Sequence, residues 1–174
     1  KNKYNFKIMI TIKKHNDNLY NTLLTLSRSV FFYDKIKLAD NFETRIYLMF
    51  MHFSIMMIVT KKKGKKFDQK SYDYLFYNIE NNLRELGLGD VAVNKKMKDL
   101  NKILYDILLK IELEPKNDKD FIINHILISK YFSELNEQKN GRFLEFKSYF
   151  LNFFHFCFEI HLDNMVREAI KFKN

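Results

Sequence analysis

Helix-breaking residues are nearly absent from this chain, which holds four glycines and one proline among 174 residues. Two of the glycines stand together in the stretch Leu83-Arg84-Glu85-Leu86-Gly87-Leu88-Gly89-Asp90. Glycine reaches backbone conformations closed to other residues, so the pair marks a bend between two otherwise unbroken rods. The spacing predicts a helix through Leu83 and Leu86 that closes on a left-handed Gly87, then a second helix capped by Asn94 and opening with Lys95 and Lys96. Basic residues in a first turn oppose the helix dipole. Lys95, Lys96 and Lys98 therefore read either as the solvated start of a tight connection or as residues kept for a partner.

The flanking chain has helical periodicity almost throughout. Phe6, Ile8, Ile10 and Ile12 alternate, which predicts a short strand or extended arm over residues 1–15. Leu19, Leu23, Leu26 and Val30 follow a helical period with Asn16 or Asp17 as cap. Phe31, Phe32, Tyr33 and Leu38 form a connection that should lie against the core. Asp40 with Glu43 has the form of a capping box, and the helix it opens, Ile46 through Val59, is the most apolar in the chain. That run falls short of the roughly 20 apolar residues needed to cross a bilayer and has a lysine cluster at its end, so a buried central helix is expected.

Lys61, Lys62, Lys63, Lys65 and Lys66 surround Gly64 directly afterwards, as a solvated turn or as a contact for anionic head groups or RNA. A third helix starts near Asp68 and carries Tyr72, Leu75, Phe76, Ile79, Leu83 and Leu86 on one stripe. A fourth, with Met97, Leu100, Leu104, Ile107 or Leu108, and Ile111, is ended by Pro115. Asn117 and Asp118 supply a turn, Phe121 to Phe132 a fifth helix with His125 on or beside its apolar face, and a last helix begins near Arg142. Its aromatics, from Phe143 to Phe158, are too dense for one narrow stripe, so it is wrapped by the bundle or open to a partner. The end, from His161 to Asn174, is polar enough to fray.

The fold class expected is all-α, a single-domain bundle of about six helices over residues 16–174 with a buried apolar central helix. The length suffices for one core. A lone cysteine, Cys157, gives no disulfide framework and points to a reducing compartment. A formal charge of +9 favours polyanions and anionic lipid surfaces. No secretory signal, phosphate-binding glycine loop, metal-binding histidine or cysteine pair, or nucleophile elbow is visible, and Asp90 has no visible partner as a general base. Neither catalysis, a cofactor nor a metal is expected.

The segment Leu83 to Asp90, followed by Val93 and Lys95-Lys96-Met97-Lys98, resembles the signature segment of the ubiquinol-cytochrome c chaperone family, assembly factors of respiratory complex III. Phe32-Tyr33, Asp40, Phe42-Glu43, Arg45 and Leu48 through His52 are similar to that family's earlier block. Thr44 and Asn94 depart from its pattern, replacing a glycine and a proline. The resemblance runs from about Leu19 to about Ile111. It implies a non-enzymatic chaperone that binds newly made cytochrome b and passes it into complex III. In mitochondria the family also works beside the ribosomal tunnel exit with a small partner protein.

The residues expected to meet a client or partner are Arg84, Glu85, Gly87, Gly89, Asp90, Lys95, Lys96 and Lys98; Lys61 to Lys66 are expected to meet a membrane surface or RNA. No specific DNA partner is expected. The compartment implied is the bacterial cytoplasm or the mitochondrial matrix, peripheral to the inner membrane. The alternative reading is an RNA- or ribosome-binding helical protein using its lysine clusters. A third is an enzyme of lipid or quinone metabolism with an apolar pocket at His52.

Overall fold

The computed structural model describes residues 19–113, 121–135 and 141–173. The predicted arm, the caps Asn16 and Asp17, Pro115 and the Asn117-Asp118 turn lie outside the described residues. In chain order the elements are α1 (residues 19–27), a π-helical turn (Phe31–Lys35), α2 (Phe42–Lys62), α3 (Gln69–Glu85), α4 (Asp90–Lys110), β1 (Ile111–Leu113), β2 (Phe121–Ile123), α5 (His125–Tyr131), α6 (Gly141–Glu159) and α7 (Met165–Ala169). The architecture is an all-α bundle round α2, with β1 and β2 as a minor antiparallel ribbon pairing Ile111 with Ile123 and Leu113 with Phe121.

Helix α2 forms because nothing between Phe42 and Lys62 interrupts it, and it is buried because it is apolar on every side. It is long and apolar enough to cross a membrane by length and composition, and 67% of that window is buried inside the bundle. Its cap lies one residue later than the sequence suggests. The Asn41 side chain accepts the Thr44 N–H at 2.9 Å, while Asp40 pairs with Arg45 at 2.7 Å and Glu43 with Lys96 at 3.1 Å. Adjacent Asp and Asn are both good caps, and the extended backbone of Asn41 decides between them.

His52 is the polar centre of this core. It is fully buried, its Nδ1 lies 2.7 Å from the Leu48 carbonyl and its Nε2 3.0 Å from the Tyr149 hydroxyl. A carbonyl can only accept, so Nδ1 carries the proton and the tyrosine O–H donates to Nε2. Burial lowers its pKa to about 4, which keeps the ring neutral. Phe150 and Phe153 of α6 meet the imidazole edge-on, and Phe32 packs against the same cluster. The bundle thus wraps α6, whose Phe143, Phe146, Tyr149, Phe150, Phe153 and Phe154 are buried. Cys157 is buried with them, and burial pushes its thiol pKa up, as for an inert core residue.

Several expectations are corrected. Helix α4 stops at Lys110 instead of running through Ile111 to Pro115, and Phe121 and Ile122 belong to the ribbon instead of the fifth helix. Short β-branched runs fit either period, and here Asn124 caps α5 through the Ile126 N–H at 2.9 Å. That start rotates the helix, burying Leu127 and Ile128 and leaving His125 and Ile126 exposed. Val30 and Leu86, assigned to apolar stripes, are exposed at 66% and 63%. Residues 162–173, expected to fray, pack onto the bundle instead. Met165 and Ala169 are buried, Phe172 packs on Tyr149 and Phe153, and the Thr22 hydroxyl donates to the Val166 carbonyl at 3.1 Å. Met165, Ala169 and Phe172 lie four and three residues apart, a helical stripe masked by polar neighbours.

Candidate functional site

The glycine pair does form a corner. Leu86 ends α3, Gly87 adopts φ +87°, the Gly87 N–H bonds the Arg84 carbonyl at 2.9 Å and the Leu88 N–H bonds the Leu83 carbonyl at 3.2 Å. These two bonds make a Schellman motif, with Leu88 and Leu83 both turned to the core. Gly89 then caps α4 with φ −73°, a conformation any residue adopts, so of this pair it is Gly87 that needs glycine for its backbone. Asn94 is not a cap. Because α4 opens at Asp90, Lys95, Lys96 and Lys98 lie beyond its first turn, and their supposed conflict with the dipole disappears. Asp90 in the first turn suits the dipole instead.

Exposed ion pairs span the corner. Arg84 reaches Glu80 on its own helix at 2.8 Å and Asp90 at the start of α4. Asp90 first and Glu80 second raise the guanidinium's pKa. Lys96 ties α4 to the first turn of α2 through Glu43, and the hydrogen bond from its ammonium holds the Glu43 carboxyl below its usual value. Arg84 and Asp90 thus pair across the corner while remaining exposed, as Glu85, Lys95 and Lys98 are, and Lys96 is half-buried.

Beside the corner lies an open cleft of about 410 Å³. Leu24 of α1, Phe42, Ile46 and Met49 of α2, and Leu86 of α3 line it with apolar groups, and Arg28, Arg45 and Glu85 bring charge to it. The Asn82 amide donates to the Tyr20 hydroxyl and stitches α1 to α3 along its wall. Sequence reasoning missed Tyr20, Leu24, Arg28 and Asn82. A signal existed in Tyr20 and Leu24, a second apolar pair four residues apart on α1, off the stripe of Leu19, Leu23 and Leu26. Leu86 belongs to the site because it is off the stripe to which the period assigned it.

The basic connection is divided. Lys61, Lys65 and Lys66 are exposed, whereas the Lys63 ammonium donates to the Ile160 carbonyl at 2.6 Å and lies 5.3 Å from the Phe158 ring centroid, fastening the end of α2 to α6. Lys62 is half-buried. His52 is fully buried, and its two ring nitrogens are engaged by the Leu48 carbonyl and the Tyr149 hydroxyl.

No curated protein and no solved structure matches the chain. The family model described as ubiquinol-cytochrome C chaperone matches residues 34–140, well over half of the sequence. The match takes in α2, the corner and α4, and so the second block and the first from Asp40 onwards; it leaves out α1 and Phe32-Tyr33, where the resemblance was expected to begin, and extends beyond Ile111 through α5. With the arginine-glutamate-leucine-glycine string forming the bend and the leucine-histidine run forming the buried centre, this chain belongs to the ubiquinol-cytochrome c chaperone family.

Proposed function

We propose that the chain is a non-catalytic chaperone of complex III assembly that holds newly made cytochrome b at the corner cleft. The observation that carries this reading is the cleft itself, an open apolar trough with a charged rim, formed where α1 meets residues of both blocks that carry the family resemblance. An unfinished membrane subunit presents apolar side chains that must be shielded and later released. A trough of this size takes a few such side chains, and an open mouth favours reversible capture. Gly87, Arg84, Asp90 and Lys96 fix the walls; Glu85, Gly89, Lys95 and Lys98 are the exposed groups that meet the client or a small assembly partner. This work belongs at the membrane where the complex is assembled, on its matrix or bacterial cytoplasmic side.

Capture of radiolabelled cytochrome b during its synthesis tests the reading. The chain should retain the polypeptide, and complex III should fail to accumulate without it; no capture together with normal assembly contradicts the proposal. A second reading rests on Lys95, Lys98 and Lys102, which recur along the outward face of α4 as a footprint for ribosomal RNA. Salt separates the two, because phosphate contacts weaken steeply as it rises whereas apolar capture holds or strengthens.

A further inference from the structure

The trough at the corner carries opposite charge on two of its walls. Arg28 closes the turn that follows α1, where its backbone N–H bonds the Leu24 carbonyl at 3.2 Å, and Glu85 is the last residue of α3. Both line the trough, both are exposed, and among the described residues neither forms an ion pair. The charges that adjoin them are matched. Arg45, which also lines the trough, is held by Asp40 at 2.7 Å, Glu43 by Lys96 at 3.1 Å, and Arg84 by Glu80 at 2.8 Å and by Asp90. The Tyr33 hydroxyl, close to both arginines, donates to the Ser27 carbonyl at 2.6 Å and adds no charge. Lys95 and Lys98 of α4 do not line the trough. What is left is one guanidinium on the α1 wall and one carboxylate on the α3 wall, with Phe42, Ile46 and Met49 of α2 as the apolar surface they share.

Those three apolar residues are spaced by four and by three, one stripe of a helix. A helical segment laid along such a stripe brings its own apolar residues at the same spacing and satisfies its own backbone. An extended segment would need backbone partners, and the backbone groups of these walls are already bonded within their helices. From Tyr20 to Arg28 the α1 wall runs about 12 Å, some two turns of helix, which is the length over which an occupant can be read.

We infer that the trough selects a helix whose apolar stripe is flanked by an acid on one edge and a base on the other, the acid meeting Arg28 and the base meeting Glu85. The inference rests on the reading of the trough as the client site and adds the charge pattern of the segment that fits it. Unlike charges on the two walls also fix the direction in which the helix lies, because turning it end for end brings its acid to Glu85 and its base to Arg28. A helix with like charges on both edges is repelled by one wall whichever way it lies.

Stapled, fluorescein-labelled helical peptides of about four turns test this. They share one leucine stripe and differ in the two residues that flank it: Glu and Lys, Glu and Glu, Lys and Lys, or Gln and Gln. Anisotropy titrations use the full chain in about 0.15 M salt, where charges more than roughly 8 Å apart are largely screened, so that the formal charge of +9 contributes little. The native chain should bind the Glu/Lys peptide about threefold more tightly than either like-charged peptide, the size of an exposed ion pair. Arg28→Glu makes both walls acidic and should move the preference to Lys/Lys; Glu85→Arg makes both basic and should move it to Glu/Glu. The double variant, Arg28→Glu with Glu85→Arg, should return it to Glu/Lys. A preference gained in this way cannot come from a chain that has failed to fold. The Gln/Gln peptide reports the trough alone, and its binding should be lost in Leu86→Glu. If Gln/Gln binds but the order of the charged peptides is the same in every variant, or Glu/Glu is best throughout as net charge alone would dictate, the inference is overturned while the client reading stands. If no peptide binds, both fall.

Discussion

His52 is where the chemistry of a single side chain bears most directly on stability. Its pKa is about 4 in the folded protein against 6.5 when free, so above pH 6.5 both states are neutral and the group adds no pH dependence. As pH falls from 6.5 towards 4 only the unfolded chain takes up the proton, and stability is lost; below 4 the loss levels off. Denaturant titrations at pH 7.5 and pH 5 should differ by about 2 kcal/mol from this group alone. That difference should vanish in His52→Gln, which removes the titrating ring at the expense of overall stability. The two corner glycines give an equally sharp contrast. A Cβ at either position meets nothing within 4 Å, so only the backbone differs. Gly87→Ala forces a side chain into φ +87° and should lower stability by about 1–2 kcal/mol, whereas Gly89→Ser, at an uncapped N-cap with φ −73°, should raise it by a few tenths, both read by urea denaturation.

At the scale of elements, the caps decide where rods begin. Asn41→Ala should cost α2 about 1 kcal/mol, while Asp40→Ala, which breaks only a half-exposed ion pair with Arg45, should cost less than about half of that; thermal melts of the two variants check the order. The same competition explains what could be read from the sequence. The start of α3 near Asp68, the left-handed close at Gly87 and the start of α6 near Arg142 were legible because residue types that suit those positions stand there. Asp40 and Asn41 stand side by side as equally good caps, and the extended backbone of Asn41 selects it; Asn94 was the cap expected for α4, which instead opens earlier, at Asp90 after Gly89. The ribbon of Ile111 and Ile123 was hidden because segments of three residues have no measurable period. The cleft was hidden for another reason. Tyr20, Phe42 and Leu86 come from three helices, and no pattern within one helix tells that their faces converge.

At the scale of the whole molecule, a helix apolar on all sides fills the centre and leaves its wrapping helices free to differ at the two ends. One end, spanned by the ion pairs of Arg84 and Lys96, frames an apolar trough; the other exposes Tyr105 and Leu109. The central claim is that the trough beside the bend holds the unfinished subunit. Leu86 is solvent-exposed and outside the core, so Leu86→Glu alters the trough while leaving the fold intact, and Ile126→Glu, at 54% exposure on α5, serves as a matched control. The most direct measurement is co-purification of newly synthesised cytochrome b with each variant, alongside its melting temperature. Leu86→Glu should lose capture by roughly tenfold or more, as expected for charging an apolar anchor, with melting unchanged and Ile126→Glu capturing normally. Equal capture by all three proteins would contradict the account.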